Sequence, residues 1–484
     1  MQGWRISAIT VLFIGLVATA LTVMLSLVPL GEIPDEMSHI MRADGLRHGE
    51  IVGRRGTSVH KGMEVRSAGV LADPALGQAG YETDFGKREL SRETLAKSKA
   101  ATWSAPVYIH APNTAVYGPA FYVPAGLTIA VAKAMGGTPH DALIAARTVN
   151  ALLYVAIGAL GLALACRGRA LLLIILGLPM SLSLAPTVNQ DGLIIATCVL
   201  MAALFTRIDA GKGEKWAYGL FCFLMLIIFM AKPPYLPLAA LLLIPAWQGW
   251  QQRRENPAAV RGQLRLSLWG FGLVVVPALA WIIYNMVWVS APFTKEFYQS
   301  GPLSGVSETL YLTAPGWQAR ILLSEPWRLI SIPYDTIVEY GRLWWMQLIG
   351  VLGPNAYLFS QSFYDNWGIS MAAILLVALL PAGFVPRAPR LVVAERATYL
   401  LLLIGCAWLI IIAQYLSWTE VGAVLVDGVQ GRYFIPLLPF LALLFPRQPA
   451  SPTLGTLAQL AALILTLVGV FQSTELLIRS YYLH

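Results

Sequence analysis

Carboxylates beside a histidine and an arginine mark the first stretch of this 484-residue chain where chemistry can gather. Pro34-Asp35-Glu36 runs on into Met37-Ser38-His39-Ile40-Met41-Arg42. With Pro34 starting a helix, Asp35, His39 and Arg42 fall at i, i+4 and i+7 on one face, and Glu36 stands three residues before His39. A carboxylate pair at a low-dielectric boundary can have a raised pKa and serve as a base. Acids also favour a helix's first turn through its macrodipole, so capping competes evenly with catalysis here.

The same choice recurs further along. In Asn189-Gln190-Asp191 the residue types suit an N-cap; alternatively Asp191 is a second acid facing the same cavity. Lys232, in Ala231-Lys232-Pro233-Pro234-Tyr235, and Arg432, in Gln430-Gly431-Arg432-Tyr433, are cations at the mouths of apolar runs. Either they snorkel to an interface, or they clamp a phosphate, lysine as a point charge and arginine through its bidentate fork. His110, Asn113 and Tyr117 share one Pro- and Asn-containing stretch, which either lines a cavity or turns the chain.

Those residues must be carried by elements that the composition dictates. Apolar residues make up 57% of the chain and charged ones 12%, against about 45–50% and about 25% in soluble proteins. So little charge cannot cover a water-soluble body. Soluble enzymes, nucleic-acid-binding modules and disordered chains are excluded, and an all-α polytopic membrane protein is expected. The four cysteines, Cys166, Cys198, Cys222 and Cys406, lie in apolar runs and read as small hydrophobes. No P-loop, GxSxG, HExxH or dinucleotide fingerprint stands in a supporting context.

Eleven apolar runs can cross a bilayer: residues 6–28, 142–165, 170–186, 191–208, 216–231, 233–249, 266–290, 367–386, 398–416, 433–446 and 455–477. With the N-terminus inside, the short inner loops carry Arg167 and Arg169; Arg207, Lys212 and Lys215; Arg253, Arg254, Arg261 and Arg265; Arg387, Arg390 and Arg396; and Arg447. That bias is the positive-inside rule, and it accounts for much of the net charge of +8. It holds only if residues 117–135 form an interfacial or re-entrant helix, interrupted by Pro119 and Pro124, instead of a span.

The expected organisation is therefore a first transmembrane helix at 1–28 and an external loop at 29–141 with the acidic motif and the interfacial helix. Spans two to seven fill 142–290. A second external loop at 291–366 carries Trp317, Trp327, Trp344 and Trp345 on amphipathic helices. Spans eight to eleven fill 367–484, with a third external loop at 417–432.

The order of these features resembles the GT-C superfamily of polytopic glycosyltransferases, which use polyprenyl-phosphate-linked sugars. Within it the chain looks most like a bacterial family of predicted polytopic membrane proteins. The stretches that carry the resemblance are PDEMSHIMRADGLRHGEIV, YGPAFYVPAG, ARTVNALLY, SLAPTVNQDGLIIA, KPPYLPLAALLLIP and QGRYFIPLLP. It implies a GT-C-like fold and an external acidic motif in Asp35 and Glu36 that deprotonates or orients the acceptor hydroxyl. In some GT-C enzymes such acids also bind a divalent cation, here Mg or Mn at Asp35 and Glu36; others need none. Asp191 corresponds to the second acidic site, although Asn-Gln-Asp departs from a plain serine-aspartate pattern and leaves Asn189 and Asp191 as rivals for the cavity. Lys232 and Arg432 would hold the lipid phosphate, with His39, Arg42, His110, Tyr117, Tyr235 and Tyr433 as further substrate contacts.

The expected activity is transfer of a sugar from a polyprenyl-phosphate donor to a saccharide, lipid or protein acceptor outside the cytoplasmic membrane, with membrane lipids but no nucleic acid as partners. A transporter of lipid-linked saccharides would place ionisable residues deep within several spans, whereas almost all charges here sit at span ends. A non-catalytic envelope-assembly scaffold would tolerate loss of the acidic pair.

Overall fold

The computed structural model describes residues 7–60, 63–83, 90–209, 215–251, 257–290, 314–380, 390–446 and 452–483. Lys212, Arg253, Arg254, Arg387 and Arg447 of the expected inner loops, and residues 291–313 of the second external loop, lie outside the described residues.

Helix α1 (Ala8–Leu27) leads into α2 (Glu36–Arg47), strands β1 (Arg54–His60) and β2 (Met63–Ala72), short helices α3 (Pro74–Ala79) and α4 (Arg92–Lys99), strand β3 (Val107–His110) and α5 (Val123–Ala134). There follow α6 (Pro139–Leu164), α7 (Arg169–Leu176), α8 (Pro179–Leu184), α9 (Gln190–Arg207), α10 (Lys215–Ala231), α11 (Ile244–Gln251) and α12 (Pro257–Tyr284). The last third comprises α13 (Pro315–Ser324), α14 (Arg328–Ile349), a small hairpin of β4 (Val351–Leu352) and β5 (Tyr357–Leu358), α15 (Gln361–Leu379), α16 (Arg390–Ser417) and α17 (Pro452–Tyr482). The protein is an all-α polytopic membrane protein. Among the described residues, seven helices are long and apolar enough to cross a membrane: those at Ala8–Leu27, Pro139–Leu164, Gln190–Arg207, Val260–Val289, Gln361–Leu379, Val393–Ser417 and Pro452–Tyr482.

The other four of the eleven expected runs are helical too, but wound differently. Residues 170–186 break into α7 and α8, with Pro179 opening the second, and α10 is one continuous but shorter helix of 17 residues. Pro233–Leu243 and Gly431–Leu444 are 3-10 helices with Pro237, and with Pro436 and Pro439, inside them. Proline lacks the N–H that an α-helix needs and collides with the carbonyl four residues back, so the tighter winding is the one these sequences can hold. A 3-10 helix rises about 2.0 Å per residue. The 14 residues of Gly431–Leu444 therefore reach about 28 Å, close to the about 30 Å hydrocarbon core. Each 3-10 helix is tied at its far end. The Arg167 guanidinium donates to the carbonyls of Ala442 and Leu443 at 3.2 and 3.1 Å, and is itself paired with Asp209 at 2.6 Å. The Tyr218 hydroxyl donates to the Leu242 carbonyl at 3.0 Å.

α9 is apolar on every side after its first turn, and a helix of that kind is stable only when surrounded. It is buried from Gln190 to Thr206 and packs against α6 and the 431–444 helix. That fixes where Asp191, in its first turn, must point.

Residues 29–141 hold structure that composition does not announce. β1, β2 and β3 form an antiparallel sheet, with Arg54 opposite Gly69 and Gly69 opposite His110. This sheet and α2 share a second core in which Ile40, Ala43, Val70, Tyr122, Ile129 and Leu143 are all fully buried. Pro124 sits in the first turn of α5, so it opens the helix instead of interrupting it, as proline's fixed φ allows. With 12 residues α5 is about 18 Å long, too short to cross. Its outward face presents Val123, Leu127, Val131 and Met135. Of the tryptophans expected in a second external loop, Trp317 on α13 and Trp327 just before α14 are exposed, whereas Trp344 on α14 is buried.

Candidate functional site

Where α2 meets the start of α9, α10 ends and the 431–444 helix begins, the chain encloses a cavity of about 350 Å³. That is a size suited to a small ligand or the head of a larger one. Asp35, Asp191, Lys232 and Arg432 all line it, with His39, Tyr117, Tyr235 and Tyr433. These are eight of the residues singled out by type, drawn from positions as far apart as Asp35 and Tyr433.

Asp35 precedes α2 with φ of 62°, in the left-handed region that aspartate tolerates better than most residues. Its backbone carbonyl accepts the His39 N–H at 3.1 Å, but its side chain makes no capping bond. The carboxylate turns into the cavity, where Oδ2 lies 2.7 Å from Arg432 Nη2 and Oδ1 accepts from Asn113 at 3.4 Å. Capping thus fails as an explanation of Asp35.

At α9 the two rival roles fall to different residues. Asn189 is the N-cap, its side-chain oxygen accepting the Asp191 N–H at 2.8 Å. Asp191 faces the cavity, with Oδ1 at 2.9 Å from Lys232 Nζ and Oδ2 at 3.8 Å from Arg432 Nη1. Lys232 is held between the rings of Tyr117 and Tyr433, 5.4 and 5.2 Å from their centroids, a contact that keeps an ammonium in place without neutralising it. The Tyr235 hydroxyl donates to the Tyr433 carbonyl at 2.8 Å, fastening the two cation-bearing turns together.

His39 lies 2.7 Å from the Tyr122 hydroxyl through Nδ1 and stacks loosely on that ring and on Tyr117. Burial lowers its pKa from 6.5 to about 4; Lys232 and Arg432 push the same way, and Asp191 and Asp35 oppose them. The histidine is therefore neutral at pH 7, and the four charges around it, two of each sign, sum to zero. Burial and the two aspartates push the Tyr117 hydroxyl upward, so it stays protonated as a donor.

A pH titration followed by histidine NMR should find His39 neutral down to about pH 5. The unfolded chain takes up this proton near 6.5 and the folded one near about 4. Stability supplied by the neutral form is thus present above that interval and lost as pH falls through it. Protonation of His39 near pH 6.5 would show that it is not buried as described.

Four expected site residues lie elsewhere. Glu36 is fully buried and faces away from the cavity, both its oxygens taken by the Arg147 guanidinium, at 2.8 Å for Nε to Oε1. Arg42 is fully buried and donates to the carbonyls of Glu50, Ile51 and Tyr117, at 2.8, 2.7 and 3.1 Å. His110 belongs to β3 and bonds Ser67 across the sheet. Asn189 serves α9 and the Pro34 carbonyl, to which it donates at 3.0 Å. The two acids expected to share a cation point different ways: Glu36 is spent on Arg147, whereas Asp35 and Asp191 are bridged by the Arg432 guanidinium. Among the described residues no three His, Cys, Asp or Glu side chains gather as a metal group.

The cavity also has members that residue type did not single out. Ile410, Ala413, Gln414, Ser417 and Trp418, from α16 and the residue just after it, form one wall, with Gln430 beside them. Gly431 lets the cation-bearing turn approach α14. A Cβ there would run into the Trp344 carbonyl and come within 2.8 Å of the Leu348 nitrogen. Gly431→Ala should therefore destabilise the protein by about 1–3 kcal/mol, read as a Tm lower by several degrees. An unchanged Tm would refute that close approach.

Residues 16–441 match the family model described as "Predicted membrane protein (DUF2142)". The chain belongs to this family. The match runs from α1 to the 431–444 helix, so it takes in every cavity residue named above. A search of curated proteins and a search of solved structures returned no match.

Proposed function

We propose that this DUF2142 protein is a glycosyltransferase that takes a sugar from a polyprenyl-phosphate donor. It passes the sugar to a hydroxyl of a cell-envelope glycan, lipid or protein at the outer face of the cytoplasmic membrane. The observation that carries the proposal is the meeting of two aspartates and two cations in one cavity that has an apolar and aromatic wall. Lys232 and Arg432 suit a phosphate, Asp35 suits a hydroxyl proton, and the wall of Ile410, Ala413 and Trp418 suits the start of a prenyl chain.

In the proposed reaction the acceptor O–H bond breaks and its proton goes to Asp35. The acceptor oxygen bonds to the sugar's anomeric carbon, and the bond from that carbon to the phosphate oxygen breaks, its electron pair staying with the phosphate. Asp35 loses one negative charge as the phosphate gains one, so the total charge of the site is constant through transfer. Arg432, between the acid and the cavity, can follow the charge from one to the other. Stabilising charge where it develops is the largest single lever enzymes have. Asp191 stays ionised between Lys232 and Arg432 and keeps both cations aimed.

Purified protein in liposomes, given a panel of radiolabelled polyprenyl-phosphate sugars and envelope extract, should convert at least one donor to free polyprenyl phosphate with the label in an acceptor. Failure of every donor would remove the proposal. Transport is the rival outcome: label would cross the bilayer with the donor intact.

A further inference from the structure

Glu36 and Arg147 form a charged pair that the reaction above does not use. Both are almost wholly buried, at 0% and 1% exposure. A buried pair is weak evidence for stability, because desolvation offsets much of its attraction. What this pair touches is more telling. Arg147 lies on α6 and donates to the carbonyls of Val28 and Pro29, past the end of α1, at 2.8 and 3.0 Å. Glu36 accepts from the Gly31 N–H at 3.3 Å and from the Val188 N–H at 3.1 Å. One ion pair thus ties the approach to Asp35 and the approach to Asp191 to the same helix.

A second set of bonds meets on the Pro34 carbonyl, which accepts from Asn189 at 3.0 Å and from Arg432 at 3.4 Å. Asn150, one turn beyond Arg147 on α6, donates to the Thr187 carbonyl at 2.7 Å. The Pro34–Asp35 peptide is therefore gripped on both sides. Between these grips Asp35 holds a left-handed backbone, which persists only where the surroundings enforce it.

We infer that Glu36 and Arg147 are positioning residues, whose joint role is to hold Asp35 in its left-handed conformation and its carboxylate on Arg432, at a set distance from Asp191. This rests on the reading of the cavity as a phosphate site only for one arm of the test. Neither residue lines the cavity; each acts through the backbone of residues 28–36 and 187–189.

The test compares Glu36→Gln, Asp35→Asn and the double variant, each as the full chain in detergent, using farnesyl phosphate as the probe. Asp35 competes with an added anion for Arg432, so Asp35→Asn should tighten farnesyl phosphate binding about tenfold. If Glu36 positions Asp35, Glu36→Gln alone should give several-fold tightening, and adding Asp35→Asn to it should give less than its effect on the wild type. A merely structural role for Glu36 would lower Tm and the fraction of competent protein and leave the two affinity effects multiplicative; that result overturns the inference. Asn189→Ala, which removes one grip on Pro34 without unpairing a charge, gives the same comparison should Glu36→Gln fail to fold.

A second arm needs no ligand. The structure of the Glu36→Gln or Asn189→Ala variant should show Asp35 out of the left-handed region and more than about 4 Å from Arg432, the limit of an ion pair. An unmoved Asp35 overturns the inference. If wild type binds no farnesyl phosphate while Asp35 moves as expected, the phosphate reading falls and the positioning role stands.

Discussion

Asp35→Asn is expected to stop sugar transfer while making the protein hold an anionic lipid phosphate more tightly. The two effects come from one contact. The Asp35 carboxylate is 2.7 Å from Arg432, and it is the more exposed of the two acids, at 39% against 6% for Asp191. An amide cannot take the acceptor's proton, and loss of a general base lowers the rate by about 10²–10⁴-fold. The same amide no longer competes with phosphate for the guanidinium, and a charge pair at this distance near a surface is worth a few kcal/mol, part of which returns as affinity. Farnesyl phosphate binding at low ionic strength should therefore tighten by about tenfold. Transfer that survives in Asp35→Asn would end the catalytic assignment. Weaker binding would show that Asp35 supports the anion site instead of opposing it.

Arg432 should prove the least replaceable residue of the site. Its guanidinium is 1% exposed, contacts both aspartates and donates to the Pro34 carbonyl. Arg432→Met leaves two acids facing each other with only Lys232 between them, and removal of one member of a buried pair costs about 3–5 kcal/mol. That variant should lose both farnesyl phosphate binding and much of its thermal stability. Arg432→Lys separates the two effects: charge remains, but the fork that engages two anions at once is gone. We expect it to fold with a nearly normal Tm and to bind the probe about tenfold more weakly. Lys232→Met should fall between them, because Asp191 keeps Arg432 as a partner. Equal affinities in wild type and Arg432→Lys would rule out a bidentate hold on phosphate.

Scarcity of charge made the cavity legible. In a chain this apolar, an acid or cation at the mouth of a helix has few reasons to be there, and Asp35, Asp191, Lys232 and Arg432 could be chosen by type and place alone. Direction was harder to read. Asp35, His39 and Arg42 do share a face by periodicity, but Arg42 sits about 10 Å further along the axis, beyond the cavity and among the carbonyls of Glu50, Ile51 and Tyr117. Glu36, one residue after Asp35, is turned about 100° around the helix and meets Arg147. That arginine did leave a trace, as a cation inside an apolar run, where a charge is retained only with a partner. The sheet of residues 54–110 left little that hydrophobic patterning could catch, because β1 (RRGTSVH) is polar and β3 has only four residues, so β2 had no alternating partner to read beside it. The 3-10 helices were visible as apolar runs, but their winding follows from where prolines fall within them.

That winding sets a length. Lys232 immediately precedes one 3-10 helix and Arg432 lies in the first turn of the other, while Tyr218 and the Arg167–Asp209 pair moor their opposite ends. Rewound as an α-helix, at about 1.5 Å per residue, the fourteen residues from Gly431 to Leu444 would shorten by about 7 Å. Moored as it is, the helix would draw Arg432 inward by that distance and away from Asp35. The prolines thus act as a ruler: they set how far from the anchored end the positive charge is presented.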